Sequence, residues 1–201
     1  MKDYDDIALH FDHTRVNQWG WVESCLKDIK DNSIVYDIGC GNGVNMKVDN
    51  HRLVMIGLDS CQKFVSICKN KNLNVVEGCM TQLPFRSKSA DTILCIASFH
   101  HLKNYNDRVS CLNELNRCLK EKGEVILSVW SINQPLKTRR KFSNYGDTVV
   151  TWNKYGSIYK RYYYIFKLEE IKQLFQKCGF FVKKHIYDYG NEIFHLVKII
   201  L

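Results

Sequence analysis

The segment Val35–Gly43, VYDIGCGNG, constrains this chain more than any other. An apolar run ends in Asp37 and delivers the chain into a turn with glycine at 39, 41 and 43. Glycine lacks a Cβ, so such a turn takes positive φ and lets a ligand lie against the backbone. A dinucleotide fingerprint reads G-x-G-x-x-G and opens directly into a helix. Here the spacing is G-x-G-x-G, with an acid two residues before the first glycine. At that place a pyrophosphate would be repelled and an ammonium group attracted. The pattern favours S-adenosylmethionine (SAM), whose amino-acid end is cationic. The glycines alone suit a purely structural turn equally well.

The next strand-like run, LVMIGLDS, ends at Asp59. There a carboxylate can accept both hydroxyls of a ribose, as acids at the end of the second strand do in doubly wound folds. Asp59 also suits the N-cap of a helix starting near Cys61, and Ser60 would cap equally well. Acids at successive strand ends around a glycine turn are harder to explain by capping alone. The sequence thus predicts a SAM site from Asp37, Gly39, Gly41, Asn42, Gly43, Asp59 and Ser60. Cys79 and Met80, after a third strand, are expected to border the adenine, and Ala97 falls at the end of a fourth strand.

Around this nucleus the chain alternates strands and helices. A helix is predicted from about Trp19 to Lys30, then strands Ile34–Ile38 and Leu53–Asp59, a helix from about Cys61 to Asn70, and a short strand Val75–Glu77. Thr92–Ala97 is a continuous apolar run, as in strands buried on both faces. Val109, Leu112, Leu115 and Leu119 recur at helical spacing, and Gly123 is expected to end that helix after Lys120 and Lys122. Strand Glu124–Trp130, a polar stretch Ser131–Lys160 and a helix Leu168–Cys178 stopped by Gly179 follow. Two last strands, Phe180–Tyr187 and Ile193–Ile200, are close enough for a hairpin around Gly190. Repeated crossovers build a parallel sheet, to which a terminal hairpin adds an antiparallel strand. The predicted class is α/β, with the class I SAM-dependent methyltransferase layout: Rossmann-like, a mostly parallel seven-stranded sheet and a C-terminal antiparallel hairpin. Its ligand belongs beyond the carboxyl ends of the strands, where the strand order reverses.

With 201 residues, 45% of them hydrophobic, the chain can bury a proper core and reads as one domain over residues 1–201. The N-terminus MKDYDDIALH is too charged for a signal peptide, and no apolar stretch approaches the roughly 18 residues of a membrane helix. A soluble cytoplasmic or nuclear protein without membrane contact is expected. The nine cysteines are scattered with no C-x-x-C. Cys61 and Cys68, like Cys111 and Cys118, are seven apart on predicted helices and pack there as small apolar groups. Neither a disulfide framework nor a metal site is indicated.

The net charge of +8 is uneven. Lys137, Arg139, Arg140 and Lys141 form a dense cluster, and Lys154, Lys160 and Arg161 follow among Trp152, Tyr155, Tyr159, Tyr162, Tyr163 and Tyr164. Basic residues neutralise phosphates and aromatic faces stack on splayed bases, so a substrate-facing insertion at about 131–164 suits RNA with an unpaired loop. A solvated basic loop beside a tyrosine-rich strand fits the same composition.

The motifs HFDHTRVNQWGWV, VYDIGCGNG, MIGLDSC, LPFRSKSADTILCIASFHHL and RYYYIFKLEEI occur in that order over nearly the whole chain. Together they resemble the eukaryotic tRNA wobble-uridine methyltransferases that esterify 5-carboxymethyluridine, including the methyltransferase part of the AlkB-homologue-8 protein. The glycine turn and Asp59 are shared by many methyltransferases, whereas HF-x-x-TR-x-x-x-W and RYY are more specific. The chain departs from the family at Tyr164, where RYYH is usual, at Gly20, where proline is usual, and in a short segment before RYY.

The resemblance implies tRNA as substrate and a small zinc-binding activator subunit as partner. Ile93–Ile96 and Phe85 are candidates for the surface that the activator covers, although core packing explains them as well. It implies a carboxylate acceptor, ionised near neutral pH because carboxyl pKa values lie near ~4. Such an acceptor needs no general base; it needs to be held in line with the methyl, away from water. Arg15 would clamp the carboxylate, Trp19 would stack on the uracil or line the methyl pocket, and Arg139, Arg140, Arg161, Tyr162 and Tyr163 would meet the tRNA. His100 is assigned a hydrogen bond to substrate and His101 a structural place. An ion pair of Arg15 with Asp12 or Asp5, and a core anchor at Trp19, are the structural alternatives. A class I methyltransferase acting on a small molecule or another RNA position, and a non-catalytic SAM- or RNA-binding scaffold, are the competing functions.

Overall fold

The computed structural model describes residues 2–47, 52–138, 141–154 and 157–199. Its short leading helices are α1 (Lys2–Asp5), α2 (Ala8–Thr14) and α3 (Gly20–Asp28). The strands β1 (Ile34–Ile38), β2 (Val54–Asp59), β3 (Val75–Glu77), β4 (Ala90–Ile96) and β5 (Leu119–Trp130) follow, with α4 (Gln62–Asn70) and α5 (Tyr105–Cys118) between them. A hairpin of β6 (Gly146–Lys154) and β7 (Ser157–Ile165) precedes α6 (Leu168–Lys177), β8 (Phe180–Asp188) and β9 (Asn191–Lys198).

The main sheet has the order β3-β2-β1-β4-β5-β9-β8, with β9 antiparallel to both of its neighbours. The order reverses between β1 and β4, which pair in parallel through Val35↔Thr92 and Tyr36↔Ile93. The central strands are apolar on both sides because both faces are covered. Tyr36, Ile38, Ile93, Cys95, Val125 and Leu127 pack on one face against α5 and α6. Their sequence neighbours Val35, Leu94, Ile96 and Ile126 pack on the other against Val22 and Leu26 of α3. Alternation along each strand thus divides one sheet between two cores. Ile93, Leu94 and Cys95 are fully buried, so these side chains are core and offer no face to an activator, and Phe85, partly buried, stacks on Tyr36 at 4.1 Å.

Two expectations are corrected. Helix α5 stops at Cys118, before Gly123, because Leu119 already pairs with Ala90 in the sheet and Lys120 bonds the Asp91 carboxylate at 2.8 Å. Gly123 lies inside β5, where a Cβ would stand 2.7 Å from the Asp91 carbonyl oxygen. The glycine there answers a close backbone approach. Second, the stretch Ser131–Lys160 contains strand: β6 and β7 pair from Gly146↔Ile165 to Lys154↔Ser157. Trp130, Tyr163 and Ile165 form a small core beneath this hairpin. The predicted stop at Gly179 holds, with φ at +78°, and the β8–β9 turn at Tyr189 and Gly190 takes φ of +41° and +85°. Positive φ at both central residues is what the favoured two-residue hairpin turn requires. Ile200, predicted as the end of the last strand, lies outside the described residues.

Gly123→Ala forces a methyl against the β4 backbone and should lower stability by about 1–3 kcal/mol. Urea unfolding checks this, and an unchanged midpoint would contradict the close approach.

A cofactor and substrate cavity at the strand ends

A cavity of about 590 Å³ opens over the carboxyl ends of β1 to β4. Its floor is the segment after β1, where Gly39 and Gly41 take φ of +76° and +55°. Gly39 is doubly constrained, since a Cβ there would stand 2.4 Å from that of Ser98. The turn is held down by Gly39 and Cys40, whose N–H groups donate to the Leu58 carbonyl at 2.7 and 3.0 Å.

Asp59 organises both flanking turns. One carboxylate oxygen accepts from Gly41 N–H and the other from Cys61 N–H, each at 2.9 Å. It thereby caps the approach to α4 and fixes the glycine turn while lining the cavity. Burial raises its pKa, and those backbone donors pull it back. Ser60, Cys79, Met80 and Ala97 also line the cavity. Ala97 holds φ at +50°, secured by its N–H to the Ser128 hydroxyl at 3.0 Å.

Asp37 and Gly43 stand behind this wall and do not line the cavity. A Cβ on Gly43 would lie 2.4 Å from Leu73, so that glycine answers packing against the segment after α4. Asp37 is buried, and neither of its oxygens meets hydrogen-bond geometry with a described group. Burial, with the Asp59 charge second, pushes its pKa up to about 7, and the Asn45 side chain offsets only part of that penalty.

The N-terminal segment closes one side. The Asn42 amide donates to Asp12 and to the Arg15 carbonyl, both at 2.8 Å, and Lys71 pairs with the same Asp12 carboxylate. Asp5 accepts from the Cys61 thiol. Arg15 therefore pairs with neither acid; its guanidinium lies 5.7 Å from the Phe11 ring and lines the cavity. Trp19 caps α3, stacks on Trp21 at 5.9 Å and lines the cavity as well. Gly20 occupies the first helical position, where the family's proline is equally at home.

The histidines exchange their expected places. His100 is fully buried, its Nδ1 accepting from Trp130 N–H at 3.1 Å, and it does not reach the cavity. His101 lines it. The two sit on one 3-10 turn, and only the second faces the opening. His101 Nδ1 bonds the Tyr162 carbonyl at 2.8 Å, which requires the proton there and leaves Nε2 to accept from the Tyr4 hydroxyl at 2.9 Å. Burial depresses its pKa to about 4, so it is neutral at physiological pH. Tyr4 carries no functional signal in sequence, sitting in a charged segment 97 positions from its partner.

The β7 strand supplies the remaining wall through Arg161, Tyr162 and Tyr163. Tyr163 stacks on Trp130 at 4.1 Å, and the nearly buried Arg161 lies 5.4 Å from the Tyr163 ring. Arg139 and Arg140 lie outside the described residues. Their neighbours Lys137 and Lys141 are exposed. Tyr164 turns away from the cavity and bonds Glu170 at 2.7 Å. Among the described residues no group of three or more His, Cys, Asp or Glu is arranged to hold a metal ion.

These residues fit SAM. The volume suits a small-molecule site, the glycine turn leaves room against main chain, and a half-satisfied carboxylate faces the opening. The buried Asp37 carboxyl lies just behind the place where a cationic amino group belongs. Asp59→Ala removes an acceptor and frees Gly41, and should weaken SAM by about 1.5–3 kcal/mol in calorimetric titration. Asp37 generates a second test. Its folded pKa is raised, so the folded state keeps the proton from about pH 4 to 7 while the unfolded chain has lost it. Its contribution to stability therefore falls as pH rises through that window. Asp37→Asn should gain on wild type across it, by roughly 2–4 kcal/mol at pH 7 without SAM. Equal stability of the two proteins at pH 4.5 and 7.5 would refute the buried-carboxyl assignment.

A methyltransferase-domain family matches residues 36–127. The chain is 35% identical over 94% of its length to the tRNA (carboxymethyluridine(34)-5-O)-methyltransferase of Schizosaccharomyces pombe, and covers 91% of that protein. It is 37% identical over 68% of its length to the mouse protein of the same activity, ALKBH8, of which it covers 20%. Among solved structures, a chain from the complex of the Haloferax volcanii Trm112 methyltransferase activator with a methyltransferase superposes with a TM-score of 0.72. That match covers 98% of this chain and 96% of the other at 17% identity, which speaks to the fold alone.

Proposed function

The chain belongs to the family of tRNA (carboxymethyluridine(34)-5-O)-methyltransferases, and from that premise we propose that it esterifies the carboxylate of 5-carboxymethyluridine at the wobble position of tRNA. SAM supplies the methyl group as an electrophilic sulfonium substituent. The observation that carries the assignment is a cavity lined by Arg15, Trp19 and Arg161 together with a neutral histidine whose two nitrogens are both engaged.

An amine or hydroxyl acceptor would call for a base, and His101 is committed to Tyr4 and the Tyr162 carbonyl. A carboxylate acceptor is already ionised and asks only to be oriented. Arg15, which has no competing ion pair among the described residues, is the fork that holds it. Arg161, nearly buried, adds a second cation to the lining. Trp19 offers a ring face to the uracil, and Tyr163, buried in its stack on Trp130, backs the wall. His100 has no part in this arrangement. Asp59 holds the ribose, and the glycine turn with Asp37 behind it receives the amino-acid end.

The exposed Lys137 and Lys141, with Arg139 and Arg140 between them, would track phosphates of the anticodon stem. A small zinc-binding activator is the proposed protein partner, supported by the Trm112 complex of the similarly folded archaeal methyltransferase. Its contact surface lies elsewhere than Ile93–Ile96.

Single-turnover methylation of carboxymethyluridine-bearing tRNA should be nearly flat from about pH 6 to 9, without the rising limb of a general base. Arg15→Lys keeps the charge but loses the planar fork, so transfer should slow while SAM affinity holds. A rate climbing about tenfold per pH unit near neutrality would point to an amine or hydroxyl acceptor instead.

A further inference from the structure

The geometry points to Arg108 as a positioning residue that latches the β6–β7 hairpin over the cavity and so places Arg161, Tyr162 and Tyr163. The inference builds on the reading that those side chains meet the substrate. Arg108, on α5, is only 4% exposed. A guanidinium is buried to that degree only where partners replace its water.

Its partners belong to the rim of the cavity, to the hairpin, or, for Phe166, to the residue that follows the hairpin. Nε donates to the Leu102 carbonyl and Nη2 to the Lys103 carbonyl, both at 3.1 Å, and these two residues line the cavity. Nη2 also lies 3.3 Å from the Tyr162 hydroxyl, which in turn donates to the Asp147 carboxylate on β6. The cation sits 3.5 Å from the centre of the Tyr164 ring and 5.3 Å from that of Phe166. Positions 162, 164 and 166 are alternate residues and share one side of the strand. One guanidinium thus engages three successive side chains on that side, while Arg161 and Tyr163 present the other to the cavity and Trp130.

The hairpin needs such a fastening. Two strands alone are marginally stable in water, and β6–β7 forms a sheet separate from the main one. Tyr164, the chain's departure from RYYH, provides the ring on which the guanidinium stacks and ties the strand to α6 through Glu170. A lysine would keep the charge but lose the fork and the flat face.

The test compares Arg108→Lys, Tyr162→Phe and the double variant in the full chain. Hydrogen exchange should quicken over residues 146–165 in Arg108→Lys while β1, β4 and β5 keep their protection. SAM affinity should stay within about twofold, and kcat on carboxymethyluridine-bearing tRNA should fall about tenfold through lost orientation. The double variant should be no slower than the slower single variant, since both act on one contact. Exchange rising equally across the central strands, or the two losses multiplying in the double variant, would overturn the latch. An Arg161→Gln variant with unchanged kcat would instead defeat the substrate reading, leaving the latch to be decided by the exchange data.

Discussion

One carboxylate joins the structure to the site. Asp59 ends β2, accepts from the glycine turn after β1 and from the chain entering α4, and still faces the cavity. The parallel register of β1 and β2, Ile38 beside Leu58, brings these turns to one level. Everything downstream depends on that level: the open floor at Gly41, the wall at Met80, the strained Ala97 opposite. The arrangement has a thermodynamic cost, since Asp37 and Asp59 are both buried, burial raises the proton affinity of each, and the Asp59 charge raises that of Asp37 further. A fold selected for stability alone would not keep two such acids together, whereas one that must receive a cationic ligand keeps them ready.

The parts of this fold that were legible in sequence are those whose burial is set locally. Strand β1 falls where its apolar run predicts it, because a strand covered on both faces has little freedom to be anything else. The glycine turn and Asp59 are legible for the same reason, as features of single strand ends. Gly123 misled because a glycine after helical spacing normally marks a cap, whereas here the neighbouring strand's carbonyl demands it. The β6–β7 hairpin was hidden inside a basic, tyrosine-rich stretch. Its alternation sorts side chains between Trp130 on one side and Arg108 on the other, and neither partner is near in sequence.

Site residues follow the same division. Glycines and acids at strand ends are visible as local patterns, whereas Tyr4, which bonds His101 from a distant segment, carries no local sign. Adjacent histidines on a 3-10 turn obey neither strand nor helix periodicity, so nothing in the order of the letters decides between His100 and His101. The decision comes from Tyr4 and Tyr162, which reach His101 from α1 and β7. Asn42 is visible in sequence as part of the glycine turn, and its amide also ties Asp12 and the Arg15 carbonyl to that turn.

This geography separates the chemistry into two layers. The floor, made by β1 to β4, carries features common to many methyltransferases. The upper wall is assembled from outside the parallel sheet, by α1 to α3 before it and the β6–β7 hairpin after β5. Those two pieces meet through the Tyr4–His101–Tyr162 bonds, so the wall closes only when both pieces are in place. A neutral imidazole serves that junction better than a charged one, because a proton on Nε2 would remove the acceptor that Tyr4 requires and add a cation beside Arg161. Burial first, and the Arg161 charge after it, push the pKa of His101 down to about 4. The same commitment that lets His101 hold the wall together takes it out of acid–base chemistry, and a reaction whose acceptor arrives already ionised is the kind such a wall can serve.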